Sequence, residues 1–113
     1  MTKRHPHGMD RIRRQVPFLQ SVLTQAKTKQ RQAVLRAANK DQINAVSDLV
    51  LNALKRNFAL PPHVVARARR YKTVLRRLAD RKVSLKRRQN LLLRQKGGGF
   101  WTSLDHFCQC LRR

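Results

Sequence analysis

The chain has 113 residues, 41% of them hydrophobic, and sets 27 Lys and Arg against five Asp and no Glu, a formal net charge of +22. That size permits one small domain with tails and a modest core. The five acids, Asp10, Asp41, Asp48, Asp80 and Asp105, stand singly, so no carboxylate pair offers itself for acid–base chemistry.

No apolar run reaches the length of about 18 residues that a membrane span needs, and no signal-peptide run follows the basic N-terminus. Two cysteines two residues apart are too few and too close for a disulfide framework, which makes a reducing compartment the default.

Apolar residues recur at three- and four-residue steps and hardly alternate, so the expected fold is all-α: a compact bundle of four to five short helices. Residues 1–15, which include His5, Pro6, His7 and Gly8, read as a disordered basic arm. The helical domain is expected over 16–96. Its first helix starts at Pro17, a favoured first-turn residue, and turns Phe18, Leu19, Val22, Leu23 and Ala26 to one side. Thr28 is the expected cap of the second, with a narrow stripe of Ala33, Val34 and Ala37, and Asn39 is its expected stop.

The third helix begins at Asp41, an acid suited to the positive end of a helix dipole. Its Ile43, Val46, Leu49, Val50, Ala53 and Leu54 follow the helical period most closely, which makes it the expected centre of the core. Lys55 and Arg56 close it at the negative end of the dipole, a placement worth about 0.3–1 kcal/mol.

Pro61 and Pro62 launch the fourth helix, expected to run to Arg81 with Val64, Val65, Ala68, Tyr71, Leu75 and Leu78 inward. Ser84 caps the fifth, which ends at Gly97, Gly98 and Gly99. Residues 97–113 read as a glycine hinge and a short amphipathic tail, with Phe100, Leu104, Phe107, Cys108 and Leu111 at helical spacing and Trp101 beside them, a segment that either folds back onto the bundle, docks on a partner or lies at a membrane interface.

Function is written most strongly in the stretch from Arg67 to Lys96, which holds thirteen cations against the single acid Asp80. These are Arg67, Arg69, Arg70, Lys72, Arg76, Arg77, Arg81, Lys82, Lys86, Arg87, Arg88, Arg94 and Lys96. Solubility alone needs a net charge of only about 2–8, so a polyanionic partner is the expectation, and a nucleic-acid backbone is the commonest one. Arg67, Arg70, Arg77 and Arg81 fall on one surface of the fourth helix.

The aromatics form no stacking platform, and a helix-turn-helix over residues 37–59 would leave the cations elsewhere. Phosphate contact on double-stranded DNA without base readout is therefore expected, with RNA left open.

A second expectation, of a different class, is a structural protein that meets a capsid or membrane surface through Gly97, Gly98, Gly99, Phe100, Trp101 and the segment after them. Neither metal, cofactor nor catalysis is expected. His5 and His7 lie at the opposite end from Cys108 and Cys110 with spacings unlike structural zinc sites, and the closeness of His106 to Cys108 in sequence is not catalytic geometry.

The order of three segments carries a resemblance: PFLQSVLTQAKTKQRQAVLRAA, then NAVSDLVLNAL, then YKTVLRRLADRKVSLKRRQNLLLRQKGGGF. Over about Pro17 to Phe100 the chain resembles a family of small basic proteins of Maverick/Polinton-type DNA transposons and the related adintoviruses and adomaviruses. That family is marked by a KKVSLK-type cap and a QKGGF-type end, here RKVSLK and QKGGGF.

The resemblance implies an accessory virion protein of a DNA-packaging core or minor capsid kind, located in the virion and the host nucleus, with packaged double-stranded DNA and capsid proteins as partners. It places Arg76, Arg77, Arg81, Lys82, Lys86, Arg87 and Arg88 in the shared basic block and Gly97 to Phe100 at the hinge. After Phe100 the sequence departs from the family's longer apolar tail, so DNA contact is implied ahead of membrane disruption.

Overall fold

A computed structural model describes residues 8–25 and 27–112. Their regular structure is entirely helical: α1 (Met9–Arg14), α2 (Val16–Leu23), α3 (Thr28–Arg36), α4 (Lys40–Leu54), α5 (Pro62–Ala68), a 3-10 turn (Arg69–Tyr71), α6 (Lys72–Ala79), α7 (Leu85–Arg94) and α8 (Gly98–Leu111), with no strand among the described residues. The all-α bundle expected from periodicity is present, divided into more and shorter helices than four or five.

The longest helix, α4, is the axis of the bundle, and α1, α2, α6, α7 and α8 all pack against it. Every residue from Ile43 to Val50 is buried, so apolar and polar side chains alike are enclosed. Ile43, Val46, Leu49, Val50 and Ala53 form the apolar side, as their spacing foretold, but Leu54 remains 39% exposed. The helix starts with a reciprocal cap: Gln42 N donates to Asn39 Oδ1 at 2.9 Å, and Asn39 N donates to Gln42 Oε1 at 2.8 Å. Asn39 therefore opens α4 where the sequence reading made it the end of α3, and Asp41 sits in the first turn. The reason is brevity: α3 stops at Arg36, and the short link after it leaves Asn39 free to serve the next helix.

Around this axis α2 buries Phe18, Leu19, Val22 and Leu23, the side expected of it. On α3 the expected stripe is replaced. Arg31 and Leu35 are buried while Ala33 and Ala37 are exposed. Arg31 takes an inward place because its guanidinium has partners there. Its Nε donates to Val22 O at 3.0 Å, another nitrogen donates to Gln25 O, and the group lies 4.7 Å from the centre of the Trp101 ring.

The expected fourth helix is divided by the 3-10 turn, so that α5 leans on α8 and α6 on α4. Ser84 caps α7 as expected, its Oγ accepting from Arg87 N at 3.2 Å.

Two outer segments differ from the sequence reading. Residues 8–15 of the expected arm are ordered as α1, with Ile12 buried; residues 1–7, with His5 and His7, lie outside the described residues, as does Ala26. The expected hinge and tail form α8, a full member of the bundle against α2, α4 and α5. Phe100, Trp101, Leu104, Phe107 and Cys108 are all at most 3% exposed. These five apolar side chains, the larger of them able to contribute about 1.5–3 kcal/mol each when buried, are better satisfied in the core than in water.

Gly99 takes part in this docking, because a Cβ there would collide with the Tyr71 hydroxyl. Tyr71 and Phe100 meet edge to face at 5.6 Å, and Phe100 meets Trp101 at 5.0 Å. Trp101 Nε1 donates to Gln95 O at 2.6 Å, which ties the start of α8 to the end of α7.

Candidate nucleic-acid interface

The basic residues reach the surface because of what the leucines between them do. In α6, Leu75 and Leu78 are buried against α4, which leaves Lys72, Arg76 and Arg77 outside. In α7, Leu92 is buried and Leu85, Leu91 and Leu93 are half-buried, so Lys86, Arg87 and Arg94 face outward. The two helices pack side by side, and a cleft of about 430 Å³ between them is lined by Arg77, Arg87 and Arg94 with Val83, Asn90 and Leu91. On the other margin of α6, Arg69, Lys72 and Arg76 border a second cavity. Arg67, Arg70, Lys82 and Lys96 are exposed at the ends of these elements.

Two of the thirteen expected contact residues have other partners. Arg88 is 5% exposed and points inward. Its Nη1 donates to Asn44 Oδ1 at 2.9 Å and Ser47 Oγ at 2.7 Å, and its Nε donates to Val83 O at 3.1 Å. It is a structural residue, removed from any phosphate. Arg81 keeps nearly half of its side chain in water, yet it donates to Asn44 Oδ1 at 2.7 Å and pairs with Asp48. The surface shared by Arg67, Arg70, Arg77 and Arg81 on an unbroken helix is also lost, since the 3-10 turn divides that helix and Arg81 lies beyond its end.

Asp48 explains the diversion. Only 2% of its side chain is exposed, and Arg11 of α1 reaches Oδ2 at 3.1 Å while Arg81 takes Oδ1. Burial pushes its carboxyl upward in pKa against the opposing pull of Arg81 and Arg11. Gly8, with φ 63, brings its backbone so close that a Cβ would collide with this carboxylate. An acid buried in a chain of +22 collects cations from both neighbouring segments, and nothing in local spacing announces which ones.

Tertiary neighbours add cations that the sequence block did not include. The third helix lies along α7, fastened by Gln32 Nε2 to Leu93 O at 3.1 Å and Gln89 Nε2 to Leu35 O at 2.7 Å. Lys29 and Arg36 are exposed on that helix, so they widen the basic surface beside α7. The signal for Gln89 was its place on an inner face otherwise made of leucines.

The proposed tail residues Phe100 and Trp101 offer no exposed apolar face, being 1% exposed each. Cys108 is buried, and burial raises its thiol pKa, the opposite of what a nucleophile needs. His106 lies edge to face with His63, ring centres 6.0 Å apart. Among the described residues no three His, Cys, Asp or Glu side chains come together as a metal site, and no helix is long and apolar enough to cross a membrane. Compared with protein-family models, curated proteins and solved structures, the chain has no match in any of the three.

Proposed function

We propose that this chain is a non-enzymatic protein that binds double-stranded DNA through the phosphate backbone, without sequence specificity, as a packaging core or minor capsid protein of a virus or virus-derived transposon. One observation carries the binding part. Of the thirteen cations from Arg67 to Lys96, all except Arg88 are exposed, and all except Arg81 and Arg88 lack a carboxylate or buried hydrogen-bond acceptor among the described residues. Guanidinium and ammonium groups carried on a packed helical backbone need no backbone ordering to meet phosphates, only that of their own side chains.

The setting in a DNA-containing particle, with the virion and host nucleus as locations, rests on the resemblance in RKVSLK, QKGGGF and the segments before them. Capsid proteins are partners on the same footing.

Gel-shift titration of a random-sequence duplex at stepped salt tests the binding. If about 6–10 phosphates are neutralised, affinity falls by about 10³–10⁵ between roughly 50 and 200 mM salt. Undetectable or salt-insensitive binding at the low end would refute it, strong preference among duplex sequences would refute the lack of specificity, and tighter binding to duplex RNA would move the target class.

A further inference from the structure

The cavity on the far margin of α6 has a composition that phosphate binding does not call for. It measures about 480 Å³ and lies between the end of α4, α5, the 3-10 turn, α6 and α8. Leu54, Leu60 and Val65 supply apolar walls over the buried Leu75 and Phe107, Arg56, Arg69, Lys72 and Arg76 supply four cations, and no acid lines it. Leu54 is the one large hydrophobic side chain left exposed among the described residues, and it is at this site.

Arg56 stands there in a left-handed backbone conformation, φ 54, held by Arg56 N to Ala53 O at 3.2 Å and Asn57 N to Asn52 O at 3.0 Å. Glycine is the usual residue at such a helix end, so a long cation in that place is an outlier with a use to be found. Contacts to duplex phosphates are polar and leave apolar walls without a role.

We infer that this cavity is a docking site for an acidic amphipathic helix of a partner protein, which seats one or two apolar side chains between Leu54, Leu60 and Val65 and sets carboxylates against Arg56, Arg69, Lys72 and Arg76. Charge complementarity chooses the occupant: a second copy of this chain, at +22, has few acids to offer. The volume lies at the small end of the range of about 300–1,000 Å³ for sites that enclose a ligand, which suits side-chain anchors on a helix. The site stands apart from the DNA reading, although three of its cations are shared with that surface.

Fluorescence anisotropy on the full chain tests it with two labelled 16-residue peptides of equal negative charge, one with leucines at three- and four-residue steps among glutamates, the other with serines in their place. At about 150 mM salt the leucine peptide should bind at least tenfold more tightly, the return expected from burying a leucine. Leu54→Glu should abolish that preference and Leu54→Ala reduce it, and because the side chain lies outside the core cluster both variants should still melt as folded chains.

Equal binding of the two peptides, or a preference indifferent to Leu54, would overturn the proposal. So would Leu54-dependent binding to vesicles of anionic lipid without any preference for leucine in the peptides. Failure of the duplex gel shift with the leucine preference intact would overturn the DNA reading and leave this one standing.

Discussion

At the scale of single residues, the same side-chain type performs opposite tasks a few positions apart. Arg87 faces the cleft between α6 and α7, whereas Arg88 is sealed between Asn44, Ser47 and Val83. Arg88→Ala should destabilise the fold by about 2–4 kcal/mol, since it strands buried acceptors and opens a void, and leave duplex affinity per folded molecule unchanged. Arg77→Ala and Arg87→Ala should do the reverse: each lowers the salt slope of DNA binding by about 1 and shifts stability by less than about 0.5 kcal/mol. Urea melts and salt titrations of the three variants check this together.

Asp41 supplies the pH test. The Gln15 amide hydrogen bond, with Arg14 and Arg11 nearby, lowers its pKa, against a partial opposing effect of desolvation. A lowered carboxylate contributes stability that is present above its unfolded value of about 3.9 and lost as pH falls through the folded value. The contribution of Asp48, raised by burial, has the opposite sign, so the two are separable. Asp41→Asn should flatten the acid-side loss of α1 docking, read by hydrogen exchange of residues 9–14 between pH 5 and the folded value of Asp41.

Elements show why some of this was legible and some was not. The helical period alone revealed α2 and α4, because their inner faces are leucine, valine and isoleucine at uninterrupted steps. Ser84 was legible as a cap for a local reason too, its hydroxyl needing only Arg87 N three residues on. The diversion of Arg81 and Arg88 was not, because it depends on Asp48, Asn44 and Ser47, which lie 33 to 44 residues away.

The end of the chain was legible as an amphipathic segment, but which surface it covers was not, since its apolar side is the same whether it meets a membrane, a partner or its own bundle. Thiol chemistry distinguishes the docked state. Cys108 is buried with a raised pKa while Cys110 is half-buried. A chain with Cys108→Ser should react readily with an aromatic disulfide reagent at neutral pH. One with Cys110→Ser should react only as fast as α8 leaves the core, and equal rates in the two would refute the docking of α8.

Across the whole molecule, charge would couple stability to the proposed DNA binding. The described residues extend over 46 × 29 × 25 Å, and a duplex carries about one negative charge per 1.7 Å of axis, so a molecule laid lengthwise spans about 27 phosphate charges. The exposed cations of one face can meet only part of these, in keeping with the roughly 6–10 phosphates whose neutralisation would set the salt slope. Without the duplex those charges repel one another across a small core, and salt relieves that repulsion within a screening length of about 10 Å at 0.1 M. Raising salt should therefore raise the melting temperature of the free chain while weakening its hold on DNA.

Adding duplex at low salt should raise the melting temperature more than salt alone does, because a ligand that binds only the folded state adds its own term. Calorimetric scans at stepped salt, with and without a duplex of about 30 base pairs, would show the two melting curves converging as binding is lost. A free chain whose stability is indifferent to salt would mean that its exposed cations are already too far apart to repel, and a surface that dilute could not produce a steep salt slope on DNA either.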